Sequence, residues 1–245
     1  MPRFYIEPAS AKDGVVLLSK KESHHAFSVL RLKNGDNVEL FDGRGNTFLG
    51  VIAGFEDERL SVKLGEKRLG SSSSPVQITL AVSVIKPERM ELLIQKACEL
   101  GVFSIAPLIS DRCVVKLSRE RWESKIKRWQ KIALETCKQC GQSTIPQIQA
   151  VQDYKAFVAK VDSFDKILIP TLAVLGGILY SELRESKPGT LLAFIGPEGD
   201  FTQDEVALAV SHGAKPVSLG SLVLRSETAA IYLLSSINFF YREVA

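Results

Sequence analysis

Two glycine-bearing loops hold the side chains best suited to chemistry. Gly196-Pro197-Glu198-Gly199-Asp200-Phe201 runs into Thr202-Gln203-Asp204-Glu205, the pattern of a capping box that opens a helix. Two glycines around a rigid proline let backbone amides and carbonyls approach a ligand closely, although a tight structural turn fits the same residues. Further on, Gly220-Ser221-Leu222-Val223-Leu224-Arg225-Ser226-Glu227-Thr228-Ala229 sets an arginine and a glutamate at the mouth of an otherwise apolar stretch. They could serve a ligand there or pair with each other at a helix start. A third feature is electrostatic: Arg112, Lys116, Arg119, Arg121, Lys125, Lys127, Arg128, Lys131 and Lys138 face only Glu120, Glu123 and Glu135. Such a block attracts polyanions, or it is a solvated helix face.

Other chemistries fail on spacing. Cys137 and Cys140 form a single C-x-x-C without a second pair or a histidine partner, so thiols on a helical stripe are expected and no metal site. Gly43-Arg44-Gly45 lacks the third glycine and following helix of a dinucleotide fingerprint, and no Walker loop is present, which argues against Rossmann redox chemistry and nucleotide hydrolysis. His24 and His25 read as a helix-face pair, with stacking or phosphate contact as the functional option.

The elements that must position these residues fall into two groups. Short apolar runs at 4–6, 15–18, 38–41, 47–53 and 60–64, punctuated by Asp13-Gly14, Asn34-Gly35 and Asp42-Gly43, predict a small β-rich barrel with one helix over 20–32. Gly65 to Pro75, with four consecutive serines, reads as a linker. The expected domains are thus 1–70 and 75–245. Beyond the linker, a strand at 78–84 and a helix opened by Lys86-Pro87-Glu88 precede a strand at 103–108 and a long helix over 118–141. Apolar runs at 166–169, 191–195 and 216–219 read as strands buried on both faces, as in a parallel sheet. Ligands in open α/β sheets bind at the carboxyl ends of such strands.

The chain has 245 residues, 45% hydrophobic and 24% charged, with net charge +3, which suits a folded globular protein. The charge is uneven: residues 1–74 carry 11 Lys/Arg and 10 Asp/Glu, residues 75–145 carry 12 and 7, and residues 146–245 carry 8 and 11. No run approaches about 18 uninterrupted apolar residues, and Glu7 comes before any long apolar run forms, so neither a membrane span nor a secretory signal is expected and the cytoplasm is the expected location. Four cysteines are too few for a disulfide scaffold.

His24-His25 with Val29-Leu30-Arg31-Leu32 and Gly35-Asp36, Phe41-Asp42-Gly43, Lys96-Ala97-Cys98-Glu99-Leu100-Gly101-Val102, Pro107 with Arg112, and Trp129-Gln130-Lys131-Ile132-Ala133 form an ordered series. It continues through Gln139 to Pro146, Gly196-Pro197-Glu198-Gly199, and Leu219-Gly220 to Leu224-Arg225-Ser226-Glu227-Thr228-Ala229. The whole series resembles the bacterial 16S rRNA uridine-N3 methyltransferases, the RsmE family of the SPOUT class. That resemblance implies an α/β fold with a SPOUT-type parallel sheet and a C-terminal trefoil knot, preceded by a PUA-like β-barrel. It implies S-adenosylmethionine as methyl donor, 16S rRNA of the small ribosomal subunit as partner, and a homodimer. Ile195, Gly196, Pro197, Glu198 and Gly199, with Leu219, Gly220, Ser221, Leu222, Val223 and Leu224, would then hold the donor.

On that reading Arg225 stabilises negative charge developing on uracil, while Glu198 and Glu227 orient groups or accept a proton. His25, Arg31, Arg112, Lys116, Arg121, Lys125, Arg128 and Lys131 would contact RNA and set register without choosing the base. Four positions depart from the family pattern. Asp200 replaces a glycine, Gln142 and Leu222 stand where arginine is common, and Pro170-Thr171-Leu172 lacks an acidic residue. These departures leave two alternatives: an RNA-binding or ribosome-assembly protein with impaired catalysis, or a methyltransferase acting on another RNA.

Overall fold

The computed structural model describes residues 1–7, 11–12, 14–70, 75–115, 117–172 and 177–241. Contacts divide the chain into Met1–Ser72 with Glu135–Ile145, and Ser73–Leu134 with Pro146–Ala245. The first unit therefore takes in a segment from far along the chain, besides the continuous stretch that composition marks out.

In the first unit, β1 (Arg3–Tyr5), β2 (Ala11–Lys12) and β3 (Val15–Leu17) precede α1 (Lys20–His24), which runs into a π-helical turn over His25–Val29; β4 (Asn37–Phe41), β5 (Asn46–Glu56) and β6 (Arg59–Leu69) follow. The six strands form one sheet in the order β1-β4-β5-β6-β3-β2. Alternating side chains put Phe4, Val16, Val38, Leu40, Ile52 and Val62 in a single core. Asp57 and Glu58, both with positive φ, close the β5–β6 hairpin in two residues.

Two expectations change here. The predicted linker starts too early: Gly65–Leu69 belongs to β6, and Lys67, Arg68 and Leu69 pair with Phe48, Thr47 and Asn46. A register shift between Phe48 and Gly50 lets the ladder continue, and exposure of this strand end explains its linker-like polar composition. Residues 71–74, the rest of the serine run, lie outside the described residues. The single helix over 20–32 instead ends at His24 and widens, with Leu30 N–H donating to His25 O at 3.1 Å.

The Phe41-Asp42-Gly43 motif is a structural turn. The Asp42 carboxylate accepts from Arg44 N (2.8 Å), Asn46 N (3.1 Å) and Asn46 Nδ2 (2.5 Å). Burial pushes this carboxyl up, but the hydrogen bonds from Asn46 and Arg44 outweigh it and hold the group below its ordinary value. Gly43 has φ 72°, which strains any side chain, and a Cβ there would stand 2.6 Å from Ile145 Cδ1, which would have to shift.

The second unit begins with β7 (Gln77–Ser83), α2 (Pro87–Glu99), β8 (Ser104–Ile109) and α3 (Arg119–Cys140), whose last residues are counted with the first unit. Short β9 (Gln147–Ile148), β10 (Gln152–Asp153) and α4 (Tyr154–Val158) lead to β11 (Lys166–Pro170), β12 (Gly177–Ile178) and α5 (Leu179–Arg184). β13 (Thr190–Ile195), α6 (Gln203–Ser211), β14 (Lys215–Ser218) and α7 (Ser226–Tyr241) complete it.

The strands pair in parallel in the order β10-β8-β7-β13-β11-β14-β12, with β9 beside β8. β7, β13 and most of β11 are buried, as continuous apolar runs require; β14 is an exception, because only Val217 of its four residues is buried, and only the two-residue β12 lies beyond it. Tyr154, Phe194 and Phe201 pack within 5.0–6.2 Å of one another below the sheet's carboxyl end. The order sets β13, β11 and β14 side by side, so the loops that leave their carboxyl ends converge. Among the described residues no helix is long and apolar enough to cross a membrane.

Candidate functional site

Those loops enclose a pocket of about 380 Å³ within the second unit. Ile195, Gly196, Pro197 and Glu198 form one side, and Leu219, Gly220, Ser221, Leu222, Val223 and Leu224 another. Pro170, Thr171 and Leu172 after β11 supply a third, with Asp200, Ser218, Ser226 and Ala229 completing the lining. The volume suits a nucleoside-sized ligand. Apolar side chains and main chain make up most of the wall; its two charged side chains, Glu198 and Asp200, are both anionic. Such a lining fits a ligand with an apolar ring and positive charge. No group of three or more His, Cys, Asp or Glu residues able to hold a metal ion occurs among the described residues.

Local bonds fix the loop after β13. The capping box forms, with Thr202 Oγ1 accepting from Glu205 N and the Glu205 carboxylate accepting from Thr202 N at 2.8 Å. Gly196 is needed for close approach, since a Cβ there would lie 2.9 Å from Asp200 Oδ1 and 3.2 Å from Phe201 N. Its carbonyl accepts from Ser226 Oγ at 2.8 Å, tying the loop to the first residue of α7. Gly199 is the one predicted donor-loop residue absent from the lining; its carbonyl accepts from Arg112 Nη1 at 2.5 Å. Arg112, expected to contact RNA, thus braces the loop in this structure.

Arg89, in the first turn of α2, was not among the expected site residues. Its guanidinium lies 3.7 Å from Glu198 Oε1 and 4.0 Å from Glu227 Oε1, so one cation links the loop after β13 to the start of α7. Glu227 is buried, 8% exposed, and its Oε2 has no hydrogen-bond partner among the described residues. An acceptor left unmatched out of water is costly unless a ligand or water meets it. The ion pair that Arg225 and Glu227 could have made is replaced by the one to Arg89. Arg225 is exposed, takes part in no ion pair among the described residues, and sits between the pocket-lining Leu224 and Ser226, its carbonyl accepting from Ala229 N at 2.8 Å.

The expected RNA contacts are distributed over both units. In the second, Arg121 and Lys131 are exposed and Lys125 half-buried, none with an ion pair among the described residues, whereas Arg128 Nε lies 2.7 Å from Glu91 Oε1. The line of positive charge is real but one member is neutralised. In the first unit His25 is exposed on the π-helical turn, and Arg31 is exposed at φ 56°. Lys116 lies outside the described residues.

The signal that would have found Arg89 is the rule already applied to the loops after 166–169, 191–195 and 216–219. Lys86-Pro87-Glu88-Arg89 follows the carboxyl end of β7, and Thr171-Leu172 follows that of β11.

A family model described as the RNA methyltransferase domain matches residues 72–238, and one described as the RNA methyltransferase PUA domain matches residues 18–65. The chain is 35% identical over 235 residues to ribosomal RNA small subunit methyltransferase E of Mesomycoplasma hyopneumoniae, covering 96% of this chain and 98% of the relative. Among solved structures it is similar to ribosomal RNA small subunit methyltransferase E from Neisseria gonorrhoeae bound to S-adenosyl methionine, with TM-score 0.88, 30% identity and 98% of each chain covered. A methyltransferase from Legionella pneumophila in complex with the cofactor SAM gives TM-score 0.87 and 34% identity over 97% of this chain and 96% of that one.

Proposed function

The chain belongs to the RNA methyltransferase family, within its RsmE group, and on that premise we propose that it methylates N3 of a uridine in 16S rRNA of the small ribosomal subunit, using S-adenosylmethionine. The observation that carries the reading is the pocket: the loops at 195–198 and 219–224 converge on one nucleoside-sized cavity whose charged lining residues, among those described, are both acidic. Bound there, S-adenosylmethionine supplies an electrophilic methyl group on a positively charged sulfur.

The chain's own residues account for the rest. Main chain and apolar side chains of Leu219 to Leu224 would hold the adenine, and Glu198 and Asp200 would face the cationic end. Uracil N3 is a weak imide acid that must lose its proton before it can attack. Arg225, exposed beside the pocket-lining Leu224 and Ser226 and in no ion pair among the described residues, stabilises the negative charge that develops on the base. Glu227 keeps a buried, unmatched acceptor, and Glu198 lines the cavity; both carboxylates orient or accept a proton, and Arg89 holds them in place. Arg121, Lys125 and Lys131 would take phosphates without reading sequence.

The finer architecture belongs to the same proposal. A trefoil knot is supported by the order of the sheet, in which the chain passes from β13 to β14 beyond β11 and α7 returns to pack on α2 and β13. A PUA-like barrel is supported by the match over residues 18–65. A homodimer is supported by Tyr232 and Phe239, 48% and 89% exposed on α7.

Mass spectrometry of 16S rRNA from cells with and without the gene tests the function. Loss of 3-methyluridine on deletion, restored by the wild-type gene, is expected; an unchanged level refutes it. The intact pocket favours catalysis over the impaired reading, and methyl transfer to a different RNA in the same assay would replace the target.

A further inference from the structure

Asp200 occupies a backbone conformation that side chains rarely take, with φ 60°. Glycine would adopt it without strain, and aspartate is one of the few side chains that tolerates it. The carboxylate lies on the pocket wall and spans two loops: Oδ1 accepts from Phe201 N at 2.8 Å and Oδ2 from Leu172 N at 3.1 Å. Glu198 on the same wall is paired with Arg89 at 3.7 Å, which leaves Asp200 as the carboxylate without an ion pair there, and among the described residues no lysine, arginine or histidine lines the cavity.

Building on the methyl-donor reading, we infer that Asp200 is a specificity residue that distinguishes the methyl donor from the spent product by charge. In the transfer, the carbon–sulfur bond breaks and its electron pair stays on sulfur, while the methyl carbon bonds to the deprotonated uracil nitrogen. The sulfonium cation thereby becomes a neutral thioether, and the rest of the molecule is unchanged. A fixed carboxylate in the wall stabilises the first more than the second. It raises the share of sites loaded with donor and hastens departure of S-adenosylhomocysteine.

Calorimetric titration of the full chain with S-adenosylmethionine and with S-adenosylhomocysteine tests this, read as the ratio of the two dissociation constants. Asp200→Asn removes the charge but keeps a carbonyl oxygen able to accept from Leu172 N, and Asp200→Gly removes the charge together with the strain. Both should lower the wild-type preference for the donor by about three- to fivefold, the range for one partly exposed ion pair. Raising the salt concentration should erode the wild-type preference in the same direction. If Asp200 only fastens the loops, both ligands weaken together and the ratio stays constant, which overturns the inference and leaves the function standing. If the wild type binds neither ligand, both fall.

Discussion

Replacing Arg89 by alanine removes the only ion-pair partner that Glu198 and Glu227 have among the described residues. Unit charges 4 Å apart attract by about 4 kcal/mol at the effective dielectric of a protein surface, before desolvation and side-chain ordering are subtracted. The Arg89 side chain is 32% exposed and both contacts are long, which places each pair between a surface bridge of about 0–1 kcal/mol and a buried one of about 3–5. The Glu198 pair, with both members about one-third exposed, belongs at the lower end; the Glu227 pair, with its carboxylate 11% exposed, is worth more. A total loss of about 2 kcal/mol follows, a drop of about 4–8 °C in Tm for a chain of this size. Because Arg89 ties the pocket-lining Glu198 to Glu227 at the start of α7, its loss should also cut kcat/KM by about tenfold or more through misplaced groups. Scanning calorimetry and radiolabelled methyl transfer measure the two effects. Arg89→Lys keeps the charge but not the planar fork that can reach two carboxylates, so it should recover part of the stability and little of the activity. A variant Arg89→Ala with unaltered Tm and unaltered kcat/KM would refute the bracing role.

Arg225→Ala should reduce turnover far more than it reduces affinity for S-adenosylmethionine, because its charge is needed as the base becomes anionic; equal losses in both contradict that role. Changing Arg121, Lys125 and Lys131 together should weaken rRNA binding and flatten its dependence on salt, by about 0.7–0.9 in logarithmic slope for each phosphate no longer neutralised. An unchanged slope returns that stripe to an ordinary solvated face. Asp42→Asn should cost about 1–2 kcal/mol at neutral pH, since it loses a charged acceptor with three hydrogen bonds. The carboxyl is held below its ordinary value, so its contribution is complete above the unfolded pKa and disappears as pH falls through the lower folded one. Urea titrations of both proteins should therefore differ at pH 7 and converge in strong acid; a constant difference would show that the charge is not the cause.

The loops of the pocket were legible in the sequence because glycine, proline and a capping box announce close backbone approach whatever surrounds them. Parallel strands were legible from unbroken apolar runs at 166–169 and 191–195, since burial on both faces leaves no polar period. What stayed hidden is set by tertiary proximity. Nothing local marks Arg89 as the partner of residues 109 and 138 positions later, and nothing marks Leu172 N as the donor to Asp200. Gly65 to Leu69 read as linker because an exposed strand end tolerates the same glycine and charged residues that linkers use. The pairing of Arg128 with Glu91 likewise depends on α2 lying near α3, which a charge count along one helix does not reveal.

The register that sets Gln77 opposite Thr190 and Val82 opposite Ile195 also has a consequence in time. β7 is made early, and the strand that shares its ladder is about 110 residues further along the chain. At about 5–20 residues per second, the interval between their syntheses is about 6–20 seconds. Through that interval Ile78, Leu80, Ala81 and Val82, all buried in the finished sheet, lack one of their two neighbouring strands. The nascent second unit therefore carries an apolar strand with an open edge until its late partner emerges, a state favourable to chaperone capture and to aggregation.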